Sequence, residues 1–326
     1  MTTVVKIGGA RAVDPAGSLA DVASLREDGE PVAVVHGGST AVDETLERLG
    51  IEPEYVETPS GVVGRFTDAE TMEVFEMVFG HLNTQLVAGL QSQGVDAVGL
   101  NGVDGKLLYG PRKSAVRVVE DGTRKIKRGD HSGTIERVNS DLLETLFEDG
   151  YTPVASPPMA GEESEADHRE ASTGTGSEAT RDQSEARSAS EQSSGQSPRE
   201  DGGDPRDDEV VPVNTDADRS AAHIAGALEA TLVLLTDVEG VYADPDDPET
   251  LIESVETPAD WADLEDAAEG FMERKAMAIE EAIDGGAEEV VVADANAEDP
   301  ILSALDGGGT RVYASALAAT AEEDTQ

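Results

Sequence analysis

Short apolar runs recur along the chain, each closed by glycine or polar residues and followed by a stretch of helical spacing. Thr3–Ile7 leads into Gly8-Gly9, and Pro31–Val35 into His36-Gly37-Gly38-Ser39. Runs this short and continuously apolar predict strands buried on both faces. Ser18–Glu27 and Thr40–Leu49 have helical spacing. Asp68–Gln93 predicts one long amphipathic helix with Met72, Phe75, Val78, Phe79, Leu82, Leu86 and Leu90 on a face. Val95–Leu100 predicts a strand. Val116–Val119 and Thr123–Lys127 predict two strands joined by the turn Glu120-Asp121-Gly122. A helix over Asn139–Glu148 and a strand over Tyr151–Ala155 follow. Towards the end come strands at Glu209–Val213, Thr231–Leu235 and Glu289–Ala293, with a last strand from Gly309–Val312. Helices are expected at Arg219–Leu228 and Ala276–Ile283. Apolar strands alternating with helices argue for an α/β layered fold around a mostly parallel sheet.

One segment breaks the pattern. Residues 160–209 contain no Val, Ile, Leu, Met, Phe, Tyr or Trp, and are dominated by Ser, Glu, Gly, Ala, Arg and Asp. Such a stretch cannot bury enough apolar surface to offset its ordering entropy. It is expected to be a disordered acidic insertion between an amino-terminal lobe, 1–159, and a carboxy-terminal lobe, 210–326. A regulatory or partner-binding loop is the alternative.

Composition narrows the chemistry. The chain has 326 residues, 23 Lys and Arg against 69 Asp and Glu, a net charge of −46, and no Cys. Without Cys there is no disulfide framework, thiolate metal site or thiol nucleophile. The negative charge argues against nucleic-acid partners. No apolar run reaches the roughly 20 residues that span a bilayer, and Met1–Lys6 lacks a basic start and long apolar core, so a cytoplasmic location is expected. The acidity is not an acidic tail, because 160–209 carries a net −10 of the −46. A body coated in carboxylates and poor in Lys fits a high-salt cytoplasm, where the Debye length of roughly 3 Å at 1 M makes self-repulsion tolerable.

No G-x-x-x-x-G-K-[ST] run is present, and no G-x-G-x-x-G follows a strand. Instead there are two strand-to-glycine turns, one led by Lys6. Glycines let backbone N–H groups approach an anion, and a following helix N-terminus favours negative charge. Lys6 is either a phosphate ligand or a snorkelling surface lysine. Lys275 opens a helix, and Arg65 lies in a glycine-rich segment before the long helix. Each is a candidate anion ligand or a plain surface cation. Asn214-Thr215-Asp216-Ala217-Asp218 starts like a calcium loop but has Arg219 and Ala225 where Gly and Glu belong. Asp218 is read as a helix N-cap, with a second reading as a carboxylate holding lysines or a nucleotide's metal. No protein-borne metal site is expected. Arg112, Lys113, Arg117, Arg124, Lys125, Lys127 and Arg128 crowd into 112–128. That cluster is either a solvated hairpin or a docking face for an acidic partner.

These landmarks, in this order, resemble the amino acid kinase family. The matching runs include Val4-Val5-Lys6-Ile7-Gly8-Gly9-Ala10, Val35-His36-Gly37-Gly38-Ser39 and Gly64-Arg65-Phe66-Thr67-Asp68. Others are Val98–Gly105, Gly110-Pro111-Arg112-Lys113, Leu234–Gly240 and Gly308-Gly309-Thr310. The likeness is greatest to the kinases that phosphorylate glutamate or 2-aminoadipate attached to a LysW-type amino-group carrier. That subgroup is marked mainly by the Asp104–Lys113 region and the basic hairpin.

The resemblance implies a three-layer αβα sandwich and ATP-dependent formation of an acyl phosphate, with Mg²⁺ arriving on the nucleotide. It implies that Lys6 and Lys275 stabilise the transferring phosphoryl group and that Asp218 organises them. Gly8 and Gly9 would lie along the ATP phosphates, with Thr236 and Asp237 bordering the nucleoside. Gly38, Ser39, Arg65 and Asn214 would hold the acidic substrate. Arg112, Lys113, Arg124, Lys125, Lys127 and Arg128 would dock the carrier. A downstream reductase would take the product, and a homodimer would use the apolar Asp68–Gln93 helix. Glutamate is preferred over aminoadipate. The alternatives are a kinase of free N-acetylglutamate and a non-catalytic sensor on the same fold.

Overall fold

The computed structural model describes residues 1–8, 15–59, 61, 63–120, 123–162, 210–244, 247–268 and 271–317. Gly9, the Asp121-Gly122 part of the hairpin turn, and 163–209 of the expected insertion lie outside the described residues.

The central sheet is ordered β12 (Ser254–Val255), β14 (Thr310–Tyr313), β13 (Glu289–Asp294), β11 (Thr231–Thr236), β1 (Thr3–Ile7), β2 (Val32–His36), β9 (Thr152–Glu162), β6 (Leu108–Glu120), β7 (Thr123–Gly133). Three further strands, β5 (Ala97–Gly102), β10 (Val210–Val213) and β8 (Arg137–Val138), pair with β9, β9 and β6. From β13 through β11, β1 and β2 to β9 every pairing is parallel. β1, β2 and β11 are buried along their whole length, as expected of parallel strands covered on both faces.

Strand alternation sorts the side chains into two layers. Val5, Ile7, Val34, Val233 and Val291 face α1 (Pro15–Glu27) and α8 (Pro300–Leu305), with Leu90 of α3 (Ala69–Ser92). Val4, Val35, Leu232, Leu234 and Val292 face the other way, onto α4 (Ser140–Glu148), α5 (Ala217–Ala227), α6 (Pro258–Ala267) and α7 (Phe271–Asp284). The result is the expected three-layer αβα sandwich. The chain moves outward from β1 to β2 and β9 on one side. It restarts at β11 on the other, so strand order reverses between β1 and β11. In open α/β sheets, ligands bind beyond the carboxyl ends of strands at such a reversal.

The differences from the sequence reading have local causes. The segment before the long helix holds a small hairpin, β3 (Tyr55–Glu57) with β4 (Val63–Arg65). The basic hairpin strands extend far beyond the apolar stretches that announced them, because backbone pairing continues through polar residues to Gly133. β9 runs on to Glu162, paired to β10, so residues 160–162 of the expected insertion belong to the sheet. Met72, Phe75, Val78 and Phe79 pack within the chain, against Val42 and Leu46 of α2 (Ser39–Leu49). That part of the helix is therefore packed within the chain, while Met77 on the same helix stays exposed.

Candidate active site

Lys6 shares the face of β1 that carries Val4, the face covered by α5 and α7. A lysine there is tolerated only because a carboxylate meets it. Asp218, in the first turn of α5, places Oδ1 2.6 Å from Lys6 Nζ and Oδ2 3.4 Å from Lys275 Nζ. The two lysines are 8% and 9% exposed. Burial alone would raise the Asp218 carboxyl, but the ammonium groups of Lys6 and Lys275 overcome it and hold it below the usual carboxylate range. Burial dominates at Lys275 and lowers its ammonium from the ordinary value; Asp218 opposes that shift and Lys6 adds to it.

Asp218 is not the N-cap of its helix. Asp216 is, accepting bonds from the N–H groups of Asp218 (2.8 Å) and Arg219 (3.2 Å). An N-cap side chain turns back to its own helix end, which leaves the carboxylate two positions later free to reach the lysines. Lys275 does not open its helix either; α7 begins at Phe271. Close backbone approach and ion pairing hold α5 to α7 and the turn that follows it. A Cβ on Gly226 would lie 2.8 Å from the Gly285 Cα, so the backbones approach as only glycines allow. Arg219 Nε bonds both oxygens of Glu281, at 2.9 and 2.8 Å.

The second glycine turn sits beside this centre, since Ile7 pairs with His36. A Cβ on Gly38 would lie 2.8 Å from Leu82 and 3.1 Å from the Phe79 ring. Arg65 Nη2 bonds the carbonyl (2.9 Å) and hydroxyl (2.8 Å) of Ser39 and the carboxylate of Asp43 (2.8 Å). Asp43 was not picked out from sequence, where nothing marked it on a polar helix face. Asn214 donates to Thr67 Oγ1 (2.9 Å), while its backbone N–H bonds His131 O (2.7 Å). Thr67 is in turn bonded to buried Asp130 (3.4 Å), which accepts a short bond from Ser132.

His36 is buried, stacks on Phe79 and meets Gly37 O and Asn83; burial lowers it to about 4. Asn83 also bonds Val154 O at 2.8 Å. A cavity of about 410 Å³ opens beyond them, lined by Phe79, Asn83, Asn101, Asp104, Ser156 and Pro158 among others. None of Lys6, Asp218 or Lys275 lines it.

β11 runs parallel to β1 with Lys6 opposite Leu234, so Gly8 and Thr236-Asp237 emerge at the same edge of the sheet. Thr236 is buried and bonds Asp237 at 3.2 Å. The basic residues divide. Lys127 pairs with Glu54 and lies 4.1 Å from the centre of the Phe66 ring. Arg112 bonds Asp130 O at 3.3 Å. Lys113 is exposed, and partial desolvation with the nearby Arg219 lowers its ammonium. Arg124, Lys125 and Arg128 stay exposed.

Comparison with known proteins fits this geometry. The family model described as "Amino acid kinase family" matches residues 1–179 and 194–294. The chain is 38% identical over 316 residues to the [LysW]-aminoadipate kinase of Thermus thermophilus, covering 95% of this chain and 99% of the relative. It is 35% identical over 313 residues to the acetylglutamate kinase of Methanopyrus kandleri, covering 95% and 99%. Among solved structures, N-acetylglutamate synthase from Neisseria gonorrhoeae superposes with a TM-score of 0.65 at 20% identity, a likeness of fold alone. It covers 96% of this chain, which spans 59% of that longer one. The chain belongs to the amino acid kinase family.

Proposed function

We propose that the protein transfers the γ-phosphoryl group of ATP to the side-chain carboxylate of glutamate or 2-aminoadipate held on an acidic LysW-type carrier. The product is an acyl phosphate for arginine or lysine synthesis, handed to a reductase. One observation supports this above the others: two buried ammonium groups share one carboxylate where the strand order reverses. The name of the Thermus relative supports the carrier.

The difficulty of the reaction is electrostatic, because one anion attacks another. The attacking carboxylate is already ionised at pH 7, so no general base is required; His36 is neutral at that pH and buried. Lys6 and Lys275 supply positive charge along the transferring group, and Asp218 fixes both before substrate arrives. Gly8 lies along the phosphates, and Thr236 and Asp237 border the nucleoside. Gly38, Ser39 and Asn214 line the acceptor. Arg65, held in place by Ser39 and Asp43, would turn its guanidinium to an acceptor carboxylate. Among the described residues, no group of three or more metal-ligating side chains could hold a metal ion. Mg²⁺ would arrive on the nucleotide and would neutralise phosphate charge there.

The test is ADP release in molar KCl with glutamyl-carrier, aminoadipyl-carrier and free N-acetylglutamate. Turnover on a carrier-linked substrate alone is expected. Turnover on free N-acetylglutamate alone selects the second reading, which the Methanopyrus relative favours. Nucleotide binding without ADP release leaves a sensor. The acceptors differ by one methylene, worth about 1–3 kcal/mol in a pocket, so the ratio of the two carrier rates assigns the pathway.

A further inference from the structure

One buried amide joins the ends of three strands. Asn83 of α3 is 9% exposed, and its Nδ2 bonds Val154 O of β9 (2.8 Å), Leu100 O of β5 (3.3 Å) and His36 Nε2 at the end of β2 (3.3 Å). A backbone carbonyl only accepts, so the two carbonyls fix which end of the amide faces this way. An N–H is thereby aimed at His36 Nε2, which must accept it. The ring proton then lies on Nδ1, 3.0 Å from Gly37 O, and donates to it. Burial lowers His36 to about 4, so the ring stays neutral, with one donor and one acceptor nitrogen. The carbonyl of Gly37 and the N–H of Gly38 belong to one planar trans peptide and point in opposite directions. Holding the first therefore aims the second. Gly38 is buried, and its N–H donates to no group among the described residues. A buried N–H without a partner calls for a ligand.

Resting on the kinase reading above, we infer that Asn83 is a positioning residue: it selects the His36 tautomer that holds Gly37 O, and so aims the Gly38 N–H at the acceptor carboxylate. Neither Asn83 nor His36 touches the acceptor; both act through the peptide between Gly37 and Gly38. The other tautomer would set two N–H groups against each other at 3.3 Å and leave Gly37 O facing a bare nitrogen lone pair. That peptide would then lose its anchor. With the anchor in place, a fixed amide meets the carboxylate in a charge-assisted bond and needs no reorganisation. The bond is made in the ground state as well as the transition state, so its loss falls on the acceptor KM rather than on kcat.

The experiment joins two-dimensional NMR of the histidine ring nitrogens in the full chain with steady-state ADP release on the acceptor that the wild type uses. His36 is expected as the Nδ1–H tautomer at neutral pH; the Nε2–H tautomer overturns the inference even if no variant folds. Asn83→Leu is expected to raise the acceptor KM about tenfold and to leave the ATP KM and kcat within about twofold. His36→Leu should do the same. His36→Asn, which keeps a side-chain N–H for Gly37 O, should bring the acceptor KM back to within about threefold of the wild type. In the His36→Leu background, Asn83→Leu should add less than about twofold, because the relay is already cut. A further tenfold there, or equal losses for acceptor and ATP, makes Asn83 a plain tie between β5 and β9 and overturns the inference. The wild type turns over in each of these cases, so the kinase reading stands. If the wild type releases no ADP with any acceptor, both fail together.

Discussion

Positive charge is concentrated in two places that are built differently. Between β1 and β11, two lysines about nine-tenths buried converge on Asp218 at 2.6 and 3.4 Å. On the β6–β7 hairpin, arginines and lysines spread over two faces, with Arg117 and Arg124 exposed around Ile126. Buried charges must be paired, and the pairing fixes them in position before substrate arrives. Exposed charges face strong solvent screening and gain specificity only with apolar contact or shape. The first arrangement suits stabilising a short-lived charge, and the second suits capturing a partner.

Asp218→Asn is expected to have the largest effect, because it strands two buried ammonium groups. Destabilisation of about 3–5 kcal/mol in urea unfolding and a loss of about 10²–10³ in kcat are expected. Near-normal turnover would remove Asp218 from the centre. Lys6→Ala and Lys275→Ala should each lower kcat by about 10²–10³ with a smaller loss of stability, since Asp218 keeps one partner; unchanged kcat in either would end that lysine's role. The ammonium of Lys275 is lowered, so its charge is lost before pH 10.5 as the solution becomes alkaline. A kcat profile should therefore fall on the alkaline side below that pH, and Lys275→Arg should move the fall upward. A limb that does not move assigns it to another group.

Gly38→Ala should cost about 1–3 kcal/mol by overpacking, since the new methyl meets Leu82 at 2.8 Å. Thermal melting measures it, and an unshifted Tm would mean that Leu82 yields freely. The smallest effect belongs to the basic hairpin. Lys127→Ala breaks the Glu54 pair and should cost under about 1 kcal/mol. A larger loss in the same melting assay would make Lys127 a structural pillar rather than a solvated cation.

Much of this was legible in the sequence where local pattern was enough. The strands β1, β2 and β11 were marked by continuous apolar runs, and the glycines after β1 and β2 marked where those strands end. Lys6, Lys275 and Asp218 were singled out by rarity, position and likeness to a family, and they meet. Other features had no local signal. Asp299 precedes α8 but makes no side-chain capping bond; Asp21 of α1 does the work, accepting from the N–H groups of Ile301 (2.7 Å) and Leu302 (3.2 Å). The hairpin's seven cations read as one cluster because sequence distance does not report which side of a strand a residue faces once a bulge intervenes. The register shifts between Lys113 and Ala115 in this way.

The chain's own pattern thus settles its elements, its layered class and the residues rich in chemical promise, because period and turn chemistry act over a few positions. Tertiary structure alone decides that Lys6 and Lys275, from opposite ends of the chain, share one carboxylate. It also decides that Asp43 holds Arg65 and that Asp216, not Asp218, caps α5. These depend on which distant segments become neighbours. That choice is made by burying two whole faces of a sheet, and no short window of sequence contains it.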